Sequence, residues 1–319
     1  MTEPLVPNEE TATSSNKLLW IVAAIAAAML AAAAITYTLT RPKPVQTQKA
    51  AFLTQCPVAN KQHPDHCISS NISKIKPQPG VATTYSFAIL NEDNQPIKDF
   101  KTVHAKQMHV IVVRKDLAHF QHIHPALNKD TGVWTLNALT LPADGEYRLF
   151  ADFTEAGTKN SVAIYEDFTV GDVTKYQKQP TGDTKEDKTF GRYHVILQTE
   201  PIILQASTEA KLIYLFGDAQ NAGQSLNSLE PYLGAMGHAI ILSENLDFIH
   251  AHAMTDATLN SRGIVKFMAT FPKEGKYKVF GQFQHQGKVF TTDFVVPVYK
   301  NLAPADVRIN SGDDDHSSH

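Results

Sequence analysis

The sequence has few features that point to catalysis or to nucleic-acid binding. Its formal net charge is only −3, which gives no field that would attract a nucleic-acid backbone, and we expect no nucleic-acid partner. The chain also lacks a nucleophile elbow, a phosphate-binding loop, a His-Glu-x-x-His helix and a spaced pair of acids. We therefore predict that the protein is not an enzyme.

One long apolar run stands near the start of the chain. Residues 18–39 carry no charged side chain, and a helix of this length spans roughly 33 Å, enough for the hydrocarbon core of a bilayer. We predict a transmembrane helix at 18–39 after a short N-terminal tail at 1–17, with the membrane as a partner. The alternative is a cleaved signal peptide, for which Ala32-Ala33-Ala34 offers small residues.

The basic residues around this run leave its orientation open. Arg41, Lys43 and Lys49 follow the run, and the positive-inside rule would keep the following part in the cytoplasm. Bulky domains cross membranes largely regardless of a few charges, and a pair of cysteines behind the run favours export. We predict a single-pass protein of the cell membrane with its C-terminal domains extracytoplasmic.

The chain has two cysteines, Cys56 and Cys67, in a predicted linker at 40–76. They flank a turn-rich loop, and outside the cytoplasm such a pair predicts a disulfide that closes the loop. The alternative takes Cys56, His63, His66 and Cys67 as four zinc ligands, although their spacing matches no common zinc pattern.

An internal repeat sets the architecture. The segment Gly145–Phe153 resembles Gly275–Phe283, and three further pairs of residues are each 128 positions apart: Met108 and Met236, His122 and His250, His124 and His252. Both copies consist of short apolar runs separated by turn clusters, without a long helical period. This pattern predicts an all-β fold of two tandem immunoglobulin-like antiparallel β-sandwich domains behind one N-terminal transmembrane helix.

The turn clusters also set the expected domain boundaries. We predict the first sandwich at 77–173, a polar linker at 174–189, the second sandwich at 190–301 and a disordered tail at 302–319.

Each copy contains a predicted hairpin, with turns near Asp116 and Asn245. Residues i and i+2 of a strand share a face, so each His-x-His pair projects together. The candidate metal ligands are Met108, His109, His122 and His124 in the first hairpin and Met236, His238, His250 and His252 in the second. Imidazole suits copper, zinc and nickel, while thioether sulfur favours monovalent copper, so copper is the expected cofactor. His104 is a further candidate for the first site, and Tyr232 holds the equivalent place in the second.

The sequences of these two hairpins are similar to those of a known group of proteins. The strings Met108-His109…His122-Ile-His124 and Met236-Gly-His238…His250-Ala-His252 resemble those of bacterial exported tandem β-sandwich proteins associated with copper and heavy-metal handling. The likeness covers residues 73–299, and it implies export, the tandem fold and a link to metal-handling systems.

Two functions follow as hypotheses. The first is a membrane-anchored extracytoplasmic metal-binding protein that sequesters or delivers copper through two equivalent hairpins, with a metal transporter or an oxidase as partner. The alternative is a cell-surface protein-interaction module in which the histidines are structural and bind no metal. Metal titration separates the two.

Overall fold

The computed structural model describes residues 65–221 and 224–300, and this part of the chain is all-β. The predicted membrane helix at 18–39, the tail at 302–319 and Cys56 lie outside the described residues. Neither of the two short helices in the described ranges has the length and apolar character needed to cross a bilayer.

The first repeat forms a sandwich of two four-stranded antiparallel sheets. Its outer sheet has the order β1-β2-β6-β5, and its inner sheet has the order β4-β3-β7-β8. The elements are β1 (Cys67–Ser70), α1 (Ile72–Ile75), β2 (Thr83–Leu90), β3 (Met108–Arg114), β4 (Gln121–Ile123), β5 (Ala126–Asn128), β6 (Val133–Leu139), β7 (Gly145–Phe153) and β8 (Val162–Val170). Because β1 pairs with β2, the first sandwich begins within the segment predicted as linker.

The second repeat has the same plan. Its outer sheet has the order β16-β12-β10-β9, and its inner sheet has the order β11-β18-β17-β14-β15, with β13 also paired to β17. The elements are β9 (Asp187–Phe190), β10 (Tyr193–Glu200), β11 (Leu204–Gln205), β12 (Glu209–Asp218), β13 (Leu229–Glu230), β14 (His238–Ser243), β15 (Phe248–His252), α2 (Ala257–Asn260), β16 (Ile264–Thr270), β17 (Gly275–His285) and β18 (Lys288–Tyr299). The predicted hairpins are confirmed as β3–β4 and β14–β15.

Strands β3 and β14 of the inner sheets are buried along their whole length because both of their faces are covered. In β3, Val110 and Val112 pack into the core of the first sandwich. The alternate residues Ile111 and Val113 belong to a separate cluster that also contains residues of the second repeat. Continuous apolar runs are typical of strands buried on both faces.

The two inner sheets pack against each other through this separate cluster. From the second repeat it contains Ile240, Leu242 and Phe280. Two aromatic pairs cross the interface in a reciprocal way. Phe120 stacks on Phe280 with ring centroids 4.1 Å apart, and Phe150 stacks on Phe248 at 4.8 Å. The repeats are therefore joined by an apolar interface, and both sandwiches lie within one compact unit.

This interface predicts a large stability cost for truncating Phe280, which is 4% exposed. Phe280→Ala should lower the free energy of unfolding by about 3 kcal/mol, because it removes a buried ring and leaves a cavity. Val289→Ala, at a residue that is 43% exposed, is the control and should change it by less than about 0.5 kcal/mol. Urea unfolding of both variants measures the difference, and equal effects would contradict the packing described.

Candidate metal centre

The packing of the inner sheets brings the two predicted hairpins together. Ile111 is paired with His122 in the first sheet, and Ile240 is paired with His250 in the second, so both imidazoles stand on the face shared by the sheets. Ring centroids cross the interface at 5.2 Å for His109 and His250 and at 5.7 Å for His122 and His250. The structure thus places the histidines in one cluster between the repeats, where the sequence predicted two separate sites.

The strand register shows which residues of the two repeats correspond. His109 pairs with Asp152 across β3 and β7, and His238 pairs with Gln282 across β14 and β17. His109 therefore corresponds to His238, and Met108 corresponds to Gly237. The spacing of 128 residues aligned Met108 with Met236, and this alignment is one residue out of register. The loop between the two hairpin strands is one residue shorter in the second repeat, so the strand before the loop follows a spacing of 129.

This register separates the methionines from the imidazoles. Met108 is adjacent to His109 in β3, so its side chain points to the opposite face, where it is buried in the core of the first sandwich. Met236 is partly buried and packs against the core of the second sandwich. The thioether groups are therefore core side chains, and the cluster that the structure assembles is made of imidazoles.

Acceptor groups around the cluster fix the position of the proton on four of the rings. His122 Nδ1 donates to Gln282 Oε1 at 2.6 Å, and His250 Nδ1 donates to Asp152 Oδ2 at 2.6 Å. His109 Nε2 donates to the Val103 carbonyl at 3.3 Å, and His238 Nε2 donates to the Tyr232 carbonyl at 3.0 Å. A carbonyl or carboxylate oxygen only accepts, so each ring carries its proton on the outer nitrogen.

The inner nitrogens then face one another as acceptors. His109 Nδ1 lies 3.0 Å from His122 Nε2 and 3.2 Å from His124 Nε2. With the protons of His109 and His122 on their outer nitrogens, no hydrogen stands between these two rings. His238 Nδ1, His250 Nε2 and His252 Nε2 are buried without a hydrogen-bond partner among the described residues. Buried acceptors left unpaired are costly, and such nitrogens are satisfied when a cation takes the space between them.

Two groups of three histidines have nitrogens close enough for one metal ion. One is His109, His122 and His250, and the other is His238, His250 and His252; within each group the nitrogens lie within 4.8 Å of one another. Imidazole nitrogen is a ligand for copper, zinc and nickel, so the donor set fits an ion of this class. The carboxylate of Asp152 behind His250 forms the outer contact that commonly orients a metal-binding histidine.

Burial keeps the imidazoles neutral. It lowers the pKa of His238 to about 4, of His124 to about 3 and of His252 to about 2, and the charges of neighbouring groups lower these values further. Burial also lowers the pKa of His122 and of His250 well below the ordinary value. Neutral imidazole is the form that binds metal, so these side chains are available as ligands at neutral pH.

His104 and the outer acceptors break the symmetry of the two repeats. The His104 ring stacks on His252 with centroids 3.6 Å apart. The Val103 and Tyr232 carbonyls receive equivalent hydrogen bonds, so His104 corresponds to Leu233 rather than to Tyr232. Asp152 in the first repeat likewise corresponds to Gln282 in the second.

A cavity of about 210 Å³ adjoins the cluster on the Asp152 side. Its lining includes Lys106, Asp152 and Ser161 together with His109, His250 and His252. Imidazoles of both repeats therefore line the same cavity.

Sequence reasoning did not identify Asp152 and Gln282 as part of this centre. Both lie within the matched segments of the repeat, and each is a polar residue directly before a phenylalanine in a largely buried strand. A buried polar residue in an apolar strand needs a partner, and that was the available signal.

Two residues of the alternative zinc site, His66 and Cys67, lie within the described part of the chain. Cys67 is disulfide-bonded, and it is therefore not a zinc ligand. Cys56, the other cysteine of the chain, and His63 lie outside the described residues. His66 has its Nε2 3.4 Å from Glu155 Oε2.

Comparisons with solved structures return matches of low sequence identity and low structural similarity. The Escherichia coli adhesin FdeC is 13% identical, with 76% of this chain and 65% of that chain covered and a TM-score of 0.24. An Escherichia coli alpha-2-macroglobulin is 12% identical, with 76% of this chain and 16% of that chain covered and a TM-score of 0.25. The chain thus spans less than two thirds of either, and scores this low carry no argument about function.

The family to which the chain belongs is shown by a different comparison. No curated protein matches the sequence. A family model described as a domain of unknown function, DUF8832, matches residues 66–170 and again residues 188–300, one match for each sandwich. The chain therefore belongs to the DUF8832 family and carries two copies of its domain.

Proposed function

We propose that this protein is a membrane-anchored, extracytoplasmic metal-binding protein whose two sandwiches share one histidine site, and that it sequesters or delivers copper. The observation that carries the proposal is the convergence of inner nitrogens, above all the 3.0 Å approach of His109 Nδ1 to His122 Nε2. Both rings have their protons held on the outer side, so neither inner nitrogen can donate to the other, and a cation bound between them would satisfy both.

Copper is proposed because of the ligands and their geometry. Among divalent ions, a site of nitrogen ligands binds Cu²⁺ more tightly than Zn²⁺, Ni²⁺ or Co²⁺. Met108 lies in the core of the first sandwich and Met236 packs against the core of the second, so their thioether sulfurs do not favour monovalent copper at the cluster. The proposed ion is therefore Cu²⁺. The proposed anchor at 18–39 would keep the site close to a metal transporter or an oxidase in the same membrane.

A second candidate is a cell-surface protein-interaction module. It needs only the tandem β-sandwich architecture that the structure has, and it assigns the histidines to packing between the repeats. Its histidines would take up no metal, which distinguishes it from the first candidate in a single titration.

The first prediction concerns metal uptake. The full chain, stripped with a chelator, should take up copper, and a variant with His122, His124, His250 and His252 all changed to Gln should not, because both groups of three ligands are then broken. His194→Gln is the control, since His194 is bonded to Asp187 away from the cluster. Metal analysis after dialysis measures the difference. Equal copper in the wild type and the quadruple variant, both folded by circular dichroism, would favour the interaction module.

The second prediction concerns the outer acceptor. Asp152→Asn keeps the size of the side chain but removes the negative charge that accepts from His250 Nδ1. Copper affinity should fall by about 10- to 100-fold, the usual cost of losing such a partner. Asp167→Asn is the matched control, because Asp167 pairs with Arg148 and touches no histidine of the cluster. Competition with a chelator measures both affinities, and equal losses would contradict the role of Asp152.

The third prediction concerns pH. Three ligands with an ordinary pKa of about 6.5 would lose roughly a thousandfold in metal affinity between pH 7.5 and 5.5, because protons compete for the nitrogens. Burial lowers the pKa of His238 to about 4 and of His252 to about 2, so protonation becomes important only at lower pH. The affinity of the folded protein should therefore change by only about twofold over this range.

A peptide of residues 119–125, which contains His119, His122 and His124 without the burial, is the reference for this measurement and should show a steep loss. A loss as steep in the protein as in the peptide would contradict the neutral, buried state of the imidazoles.

A further inference from the structure

His250 is a member of both groups of three histidines. The group His109, His122 and His250 draws its ligands from both repeats, whereas the group His238, His250 and His252 lies wholly within the second repeat. We call these the bridging position and the second-repeat position. Whether both can be filled at once depends on what His250 can offer.

His250 has one nitrogen available to a metal. Its Nδ1 donates to Asp152 at 2.6 Å, while its Nε2 is buried and has no hydrogen-bond partner among the described residues. A neutral imidazole has a single lone pair that can bind a metal. As long as the bond to Asp152 holds, His250 can therefore serve the bridging position or the second-repeat position, but not both.

Among residues 65–221 and 224–300, the cluster also has no free carboxylate that would hold two cations side by side. Paired metal sites separate their ions by roughly 4 Å and need shared negative ligands to offset the repulsion. The carboxylate at this cluster is Asp152, and both of its oxygens are already acceptors, one for His250 Nδ1 and the other for the Ser161 hydroxyl.

We infer that the cluster holds one ion per chain and that this ion has two alternative positions with His250 as their common ligand. This inference rests on the proposed metal-binding function. An ion can pass between the positions by exchanging two ligands while it stays bound to the third. In the bridging position it ties the two sandwiches together, and in the second-repeat position it does not. The site thus offers a route for moving an ion within the protein, as a step toward handing it on.

Stoichiometry is the first arm of the test. Native mass spectrometry of the full wild-type chain with excess Cu²⁺ should show one ion, and electron paramagnetic resonance should show the signal of an isolated Cu²⁺. Two ions per chain, with a signal altered by coupling between them, would overturn the inference and leave the proposed function standing. No bound ion at all would remove the proposed function itself.

Single variants are the second arm. His122→Gln breaks only the bridging position, and His238→Gln breaks only the second-repeat position. The association constants of alternative positions add, so at least one of these variants should stay within about twofold of the wild-type affinity. His250→Gln breaks both positions. It should lower the copper affinity by more than roughly 100-fold, the upper cost of losing a hydrogen-bond acceptor behind a ligand.

With two alternative positions, each of the other two variants keeps one position and should bind more tightly than His250→Gln. A loss as large as that of His250→Gln in either His122→Gln or His238→Gln would overturn the two-position inference. The wild-type stoichiometry does not depend on any variant, so the one-ion statement stays testable even if His250→Gln fails to fold.

Discussion

Ile111 and Val113 of the first repeat pack against Ile240 and Leu242 of the second, and this apolar contact determines where every imidazole of the centre lies. The histidines occupy the same strand faces as these residues, so docking of the sheets buries them together. Removal from water lowers their pKa and raises the cost of unpaired nitrogens. Hydrophobic packing and the metal-binding potential of the centre therefore have the same structural origin.

The sequence was sufficient for the all-β fold, the repeat and the hairpins, because these depend on local alternation and turns. It also placed His250 and His252 on one strand face. The docking of the repeats was not predicted, although the unbroken apolar run Val110–Val113 is typical of a strand covered on both faces. The position of Met108 depended on a register one residue different from the apparent spacing, and a shift of one residue reverses the face of a side chain.

The two repeats share backbone hydrogen-bond acceptors at the centre but differ in the side chains around it. The carbonyls of Val103 and Tyr232 receive equivalent hydrogen bonds, yet Asp152 stands where the second repeat has Gln282. A carboxylate strengthens its histidine as a ligand more than a neutral amide does. The pair His250 and Asp152 is therefore the strongest ligand arrangement in the centre, and both of its members line the cavity.

The central claim is that one metal site lies between the repeats and is built from imidazoles of both. The most direct test is the anomalous difference map of crystals grown with Cu²⁺, recorded at the copper absorption edge. The account predicts one site per chain, next to His250, with nitrogen ligands only; density divided between two nearby positions would also agree with it. Separate ions beside Met108 and Met236, or no anomalous density at the cluster, would contradict it.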